Sequence, residues 1–190
     1  MGRCDCNDDN LAEVTVSSET FYSGRVFNCE LRQVRLPDGS MAPREVVRHG
    51  GGACVLPIDD DLNCYMVKQY RIAVDNIYLE APAGKIEAGE TPDECIAREI
   101  REETGYVASS IEPVGTAAAT PGYCSEIIYL YIATGLEFKG TDPDSGEFIS
   151  VHKVPLKELV EMADRGQIED AKTQVLIYKA ARRLLSGTER

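Results

Sequence analysis

The sequence has no apolar run approaching the length of a membrane span, and its fractions of 43% hydrophobic and 27% charged residues are those of a soluble globular protein. Positive charge is scarce: 20 Lys and Arg stand against 32 Asp and Glu, for a formal net charge of −12. Nucleic-acid binding through phosphate contacts needs a basic stripe, so its absence sets that class aside. No secretory signal is expected, because the opening MGRCDCNDDN is polar and acidic. Histidine occurs only at His49 and His152, with no ligand or nucleophile motif around either, and both are read as structural. The seven cysteines are an odd number at scattered positions, which argues against a complete disulfide framework and for reduced thiols in a cytoplasmic protein. Cys4 and Cys6 form a Cys-x-Cys pair, but no second pair or nearby histidine completes a zinc site. No internal repeat appears.

What is present is concentrated in Gly84 to Tyr106, GKIEAGETPDECIAREIREETGY. Thr91 is a natural N-cap, Pro92 fits the first helical position, and Glu94 completes a Thr-x-x-Glu capping box, so a helix is predicted to begin just after Glu90. Gly105 supplies its stop. On that helix Ile96 and Ile100 define the buried stripe, while Glu99 and Glu103 fall on its edge and Glu102 adds a third carboxylate to the same sheltered flank. Like charges gathered on a partly buried flank repel one another. A hard divalent cation relieves them, since Mg²⁺ or Mn²⁺ favours oxygen ligands and leaves sites open for a phosphate. The ordinary alternative is a solvated acidic helix patterned by pairs such as Arg98 with Glu102.

Gly84, Glu90, Arg98, Glu99, Ile100, Glu102, Glu103, Gly105 and Tyr106 match the pattern Gly-x5-Glu-x7-Arg-Glu-U-x-Glu-Glu-x-Gly-U, with U bulky and apolar, and no position departs from it. The stretch resembles the Nudix box, the mark of a family that hydrolyses nucleoside diphosphates linked to another moiety with the help of divalent metal. The resemblance implies that Glu99 and Glu103 are metal ligands, that Glu102 binds or orients metal and water, and that the Ala83 carbonyl adds a ligand. Gly84, Glu90 and Arg98 would hold the loop on the helix. The acidic balance of the chain makes bound metal a requirement of this reading, because bare carboxylates repel a phosphorylated substrate.

At 190 residues the chain suits one well-buried core with an appendage. Residues 1–12 are expected to form a mobile tail and residues 13–48 a β segment. Within it, Phe27, Cys29 and Leu31 alternate with polar residues, Pro37-Asp38-Gly39-Ser40 gives a turn, and Arg44 to Arg48 returns as a hairpin. A hairpin is marginal alone, so packing on a second copy is expected, and the segment resembles the small N-terminal sheet that ADP-ribose pyrophosphatases exchange across a homodimer. Residues 49–186 should form the main domain. Ala53 to Ile58 and Cys64 to Gln69 read as central strands joined by an acidic turn; Ile111 to Ala118, Ile127 to Ala133 and Phe148 to Val154 read as further strands. Pro155 to Met162 and Thr173 to Leu185 read as helices, the second burying Val175, Leu176, Tyr178, Ala181, Leu184 and Leu185. The fold expected is α/β, the α/β/α sandwich of the Nudix fold around a mixed sheet.

The run Gln69-Tyr70-Arg71 to Glu80-Ala81-Pro82-Ala83-Gly84 extends the resemblance to ADP-ribose and related sugar-nucleotide pyrophosphatases, and Pro121, sixteen residues beyond Gly105, resembles a mark of that subfamily. It implies Arg71 as a ligand of a substrate diphosphate, Arg44 as a contributor to the partner site across the dimer, and Pro121-Gly122 as a rigid turn at the cleft mouth. Glu126 is a candidate to meet a ribose or orient Arg71. The expected reaction is Mg²⁺-dependent hydrolysis of the nucleotide sugar ADP-ribose to AMP and ribose 5-phosphate. ADP-glucose or GDP-mannose is the close alternative, and a sensor that binds without cutting is a different class. In the resembling enzymes the general base is a glutamate on a mobile loop after the box. Glu147, just ahead of a predicted strand, fits that place, with Asp144 and Glu126 behind it; Ser145 and Gly146 depart from the family's denser acidic run.

Overall fold

The computed structural model describes residues 11–140, 146 and 148–185. The expectations placed on residues 1–10, Asp144 and Glu147 lie outside the described residues. The chain divides into two compact units, one comprising Met1–Gly50 with Thr120–Glu126 and the other Gly51–Ala119 with Ile127–Arg190.

The first unit is a three-stranded antiparallel sheet of β1 (Val14–Ser23), β2 (Phe27–Arg35) and β3 (Met41–His49), with β2 central. The β2–β3 hairpin turns where Asp38 accepts hydrogen bonds from the Ser40 amide (2.9 Å) and hydroxyl (2.6 Å), and Gly39 takes the left-handed φ of 85° that the turn needs. All ten residues of β1 are exposed, so no alternation marks that strand. Thr120–Glu126 docks on β3: the Val47 amide donates to the Tyr123 carbonyl at 2.7 Å and the Ser125 amide to that of Val47 at 2.9 Å.

The second unit contains β4 (Gly52–Pro57), β5 (Asn63–Arg71), β6 (Asn76–Glu80), β7 (Ala83–Lys85), α1 (Pro92–Thr104), β8 (Tyr106–Ala118), β9 (Ile127–Phe138), β10 (Ile149–Pro155), α2 (Leu156–Asp164) and α3 (Ala171–Leu184). One sheet has the order β7-β4-β9-β8, with β4 and β9 parallel and the other pairs antiparallel; the second has the antiparallel order β10-β5-β6. β4 is buried along its whole length because both its faces are covered, which explains its unbroken apolar run. Its side chains alternate between two cores. Ala53 and Val55 join Tyr131, Ala133 and the α1 residues Cys95, Ile96 and Ile100, whereas Cys54 and Leu56 join Leu130, Ile132, Leu159, Leu176 and Ile177 from the side of α2 and α3. Helices on both faces of a mixed sheet make the α/β/α sandwich.

β4 and β5 are both central strands, as the sequence indicates, each in its own sheet: beyond a single Ile58–Cys64 bridge they part, β4 pairing with β7 and β9 and β5 with β6 and β10. The buried face of α3 differs from the sequence expectation. On α3 the buried residues are Thr173, Leu176, Ile177 and Ala180, whereas Tyr178 is 42% and Leu184 36% exposed. The i, i+3, i+4, i+7 spacing runs from Thr173, a polar residue that masks the start of the stripe.

Candidate functional site

The site is built on α1. Thr91 accepts from the Glu94 amide at 3.3 Å while the Glu94 carboxylate accepts from the Thr91 amide at 2.9 Å, so the capping box is closed, with Pro92 in the first turn. Gly105 ends the helix at φ 76°, its amide bonded to the Arg101 carbonyl at 2.9 Å. Between these caps the helix is clamped to the sheet by Cys95, Ile96 and Ile100, and Tyr131 on β9 donates to Asp93 at 2.6 Å. Glu99 and Glu103 share that inner flank, only 9% and 5% exposed.

The two buried carboxylates meet the segment leading into the helix. Glu103 accepts from the Ala83 amide at 3.1 Å. Glu99 lies against Gly84 so closely that a Cβ there would be 1.6 Å from its Oε1, so any larger residue would displace this carboxylate. Arg98 binds the rest together. Its Nη1 donates to Glu99 at 2.7 Å and Glu102 at 2.9 Å, and its Nε and Nη2 donate to Glu90 at 3.0 and 3.1 Å. Glu90 in turn caps the loop, accepting from the Glu87 amide at 3.0 Å. The hydrogen bond from Arg98 holds the Glu90 carboxyl below its ordinary range, and the same contact makes Arg98 keep its proton more firmly.

A second ionic cluster borders this segment. Arg71 at the end of β5 grips Glu80 at the end of β6 in a two-pronged pair, Nε to Oε1 at 2.7 Å and Nη2 to Oε2 at 2.9 Å. Lys172 in the first turn of α3 also donates to Glu80, at 2.5 Å, and to Asp170 at 2.8 Å. Burial pushes the Glu80 carboxyl up, but Arg71 and Lys172 outweigh it and leave the group below its ordinary value. Glu80 lies in the run that resembles the family, whereas Lys172 carries no local signal, because it stands 92 residues from Glu80.

Ala83, Gly84, Glu90, Arg98, Glu99, Glu102 and Glu103 are thus brought together on the second unit, with Arg71 anchored at Glu80 beside the same strand. The other candidates among the described residues belong to the first unit. There Arg44 pairs with Glu13 at 2.5 Å, Glu126 lies 3.5 Å from His49 Nδ1, and Pro121 and Gly122 form the exposed turn closed by the Cys124 amide on the Thr120 carbonyl at 2.9 Å.

Among the described residues no three His, Cys, Asp or Glu side chains converge as a ready metal cluster. Glu99 and Glu102 turn to Arg98, which supplies their countercharge, and Glu103 turns to the Ala83 amide. The donor set nevertheless suits a hard divalent cation: three carboxylates at i, i+3 and i+4 on a rigid helix, with oxygen as the only ligand atom.

The NUDIX domain model matches residues 48–174. The chain is 34% identical to the ADP-ribose pyrophosphatase of Bacillus subtilis over 170 residues, covering 88% of this chain and 92% of that one. It is 38% identical to the methanol dehydrogenase activator of Bacillus methanolicus over 87% of this chain and 90% of the relative. It is also 34% identical to the GDP-mannose pyrophosphatase of Cronobacter sakazakii, over 88% and 92%. A crystal structure of an ADP compounds hydrolase superposes with a TM-score of 0.81 at 21% identity, covering 95% of this chain and 98% of that one, a likeness of fold.

Proposed function

Because this chain belongs to the Nudix family of hydrolases, we propose that it is a divalent-metal-dependent nucleotide-sugar pyrophosphatase that splits ADP-ribose into AMP and ribose 5-phosphate. The observation that carries this reading is the pair of buried carboxylates, Glu99 and Glu103, fixed on a doubly capped helix against Gly84 and Ala83. A module that only binds has less need of carboxylates gathered so closely on one buried flank.

Glu99, Glu102, Glu103 and the Ala83 carbonyl would hold Mg²⁺ or Mn²⁺, whose charge offsets that of the diphosphate and stabilises the charge developing at phosphorus. Arg98 and Glu90 keep the carboxylates in register with the loop. Arg71, with Nε and Nη2 committed to Glu80, presents its remaining Nη1 to a diphosphate oxygen. Water attacks one phosphorus of the diphosphate, the bond from that phosphorus to the bridging oxygen breaks so that the other phosphate leaves as a phosphomonoester, and the proton lost by water goes to a carboxylate outside the box, Glu147 in this proposal, with Glu126 or Asp144 as the alternatives.

The first unit serves as the dimer surface. Val14, Val16, Phe21 and Tyr22 of β1 are each more than half exposed, and a second copy packing there would cover them and set Arg44 toward the partner's site. Sedimentation at micromolar concentration should give a homodimer, and a monomer would refute this part. The free cysteines Cys29, Cys54, Cys64, Cys95 and Cys124 support the proposal of a cytoplasmic setting. No described helix is long and apolar enough to cross a membrane.

Equal identity to an ADP-ribose and a GDP-mannose enzyme leaves the sugar to experiment. A product assay over ADP-ribose, ADP-glucose, GDP-mannose, NADH and nucleoside triphosphates, with and without Mg²⁺, should show AMP and ribose 5-phosphate formed fastest and only with metal. Preference for GDP-mannose would move the substrate and keep the chemistry. The relative named as an activator suggests a second reading, an effector of another protein. Binding of a nucleotide sugar with no turnover would favour it or a sensor.

A further inference from the structure

The segment from Glu80, which ends β6, to Ala83, which begins β7, is held at every residue by partners outside it. Glu80 is 2% exposed and receives both Arg71 and Lys172. The Ala81 amide donates to the buried Thr173 hydroxyl at 2.8 Å, the Val55 amide donates to the Pro82 carbonyl at 2.9 Å, and the Ala83 amide donates to Glu103. Two of these anchors, Lys172 and Thr173, come from the first turn of α3, whose N-cap Asp170 accepts from the Thr173 amide at 3.0 Å and holds Lys172 as well.

The way the charges are shared is informative. Were Arg71 the sole partner of Glu80, the carboxylate would cancel the guanidinium and leave little positive potential for an anion. Oε2 of Glu80 instead divides its charge between Arg71 Nη2 at 2.9 Å and Lys172 Nζ at 2.5 Å. Arg71 keeps its orientation from the two-pronged grip while Lys172, itself held by Asp170 at 2.8 Å, shares the Glu80 carboxylate with it. The Arg71 side chain is 40% exposed, so its outer edge is open to a ligand, whereas that of Lys172 is 14% exposed and set behind Glu80.

We infer that Lys172, acting through Glu80, is a positioning residue for substrate: it fixes Arg71 and leaves the guanidinium charge available to the diphosphate. This rests on the reading of Arg71 as a diphosphate ligand. It assigns to α3 a role in substrate affinity that the box does not contain.

The test is a double-mutant cycle on the full chain with ADP-ribose and saturating Mg²⁺, with unfolding curves on the same samples. Lys172→Met should raise KM about tenfold with kcat within about twofold, since uniform binding is lost and the box is untouched. Lys172→Arg should restore KM. If Lys172→Met does not fold, Lys172→Gln, which keeps a donor to Glu80 without the charge, should raise KM in the same direction. In an Arg71→Ala background, itself raised in KM, neither Lys172 variant should have further effect. If Arg71→Ala raises KM while the Lys172 variants leave it unchanged, or raise it by the same factor with and without Arg71, the inference is overturned and Arg71 stands as a ligand. If Arg71→Ala leaves KM unchanged, or the wild type turns over no nucleotide sugar, the underlying reading fails and this one with it.

Discussion

Replacing Gly84 by alanine perturbs the box while leaving every carboxylate in the sequence. The added Cβ would lie 1.6 Å from Glu99 Oε1 and 1.9 Å from its carboxyl carbon, whereas ordinary contact begins at 3.4 Å. The Glu99 oxygen must therefore retreat by 1.8 Å (3.4 − 1.6), giving up the 2.7 Å contact with Arg98. The backbone does not resist, because Gly84 does not use a left-handed φ, and the atoms met are the far end of a flexible side chain. Alanine in a compatible conformation also restricts the unfolded chain, so the net stability change should stay within about 1 kcal/mol. Misplacing a positioned group by about 1 Å can cost about 10²-fold in rate. AMP release from ADP-ribose across a Mg²⁺ titration should thus show kcat/KM reduced on the order of 10²-fold and a raised metal requirement, with the unfolding midpoint nearly unmoved. Activity within about threefold of wild type and an unshifted Mg²⁺ curve would refute the idea that Gly84 exists to seat Glu99.

Acid should weaken the fold through Glu80 and Glu90, whose folded-state pKa values lie below the ordinary 4.5. A depressed carboxylate contributes stability that is complete above its unfolded pKa and lost as pH falls through the folded value, so unfolding midpoints should decline below about pH 4.5. Glu80→Gln should flatten that decline, and an unchanged slope would remove Glu80 from the explanation. Gly105→Ala forces a left-handed φ of 76° on a residue with a Cβ and should cost about 1–2 kcal/mol by chemical denaturation; no loss would contradict the cap. Glu147→Gln should lower kcat by about 10²–10⁴ with KM little changed, and a loss under about tenfold would pass the base to Glu126 or Asp144.

Much of α1 was legible because its signals are local. Thr91, Pro92, Glu94 and Gly105 act on neighbours within one turn, and the burial of Glu99 and Glu103 follows from their phase relative to Ile96 and Ile100. The continuous run of β4 likewise reports that both its faces are covered, whereas on β2 the alternating Phe27 and Leu31 are each 40% exposed and the buried residue is Val34, of the opposite parity. What spacing did not reveal is what topology decides. That β4 and β5 leave one acidic turn for different sheets depends on partners 70 or more residues away, since β9 and β10 fill the other edges. The grip of Lys172 on Glu80 is of the same kind, as is the docking of Thr120–Glu126 on β3. On α3 the error was one of phase: Thr173, a hydroxyl that binds the Ala81 amide, occupies a core position that apolar counting skips.

The most direct test of the central claim is to follow ADP-ribose by ³¹P NMR with wild-type protein and Glu99→Gln side by side, first with Mg²⁺ and then with chelator. Wild type should convert the diphosphate signals to two phosphomonoesters, AMP and ribose 5-phosphate, only while Mg²⁺ is free. Glu99→Gln, folded by its unfolding curve, should lose most of that turnover, because the ligand charge goes with almost no change in shape. Near-normal turnover by Glu99→Gln at limiting Mg²⁺, or unabated turnover by wild type in chelator, would contradict the assignment of the box helix as the metal-holding catalytic site.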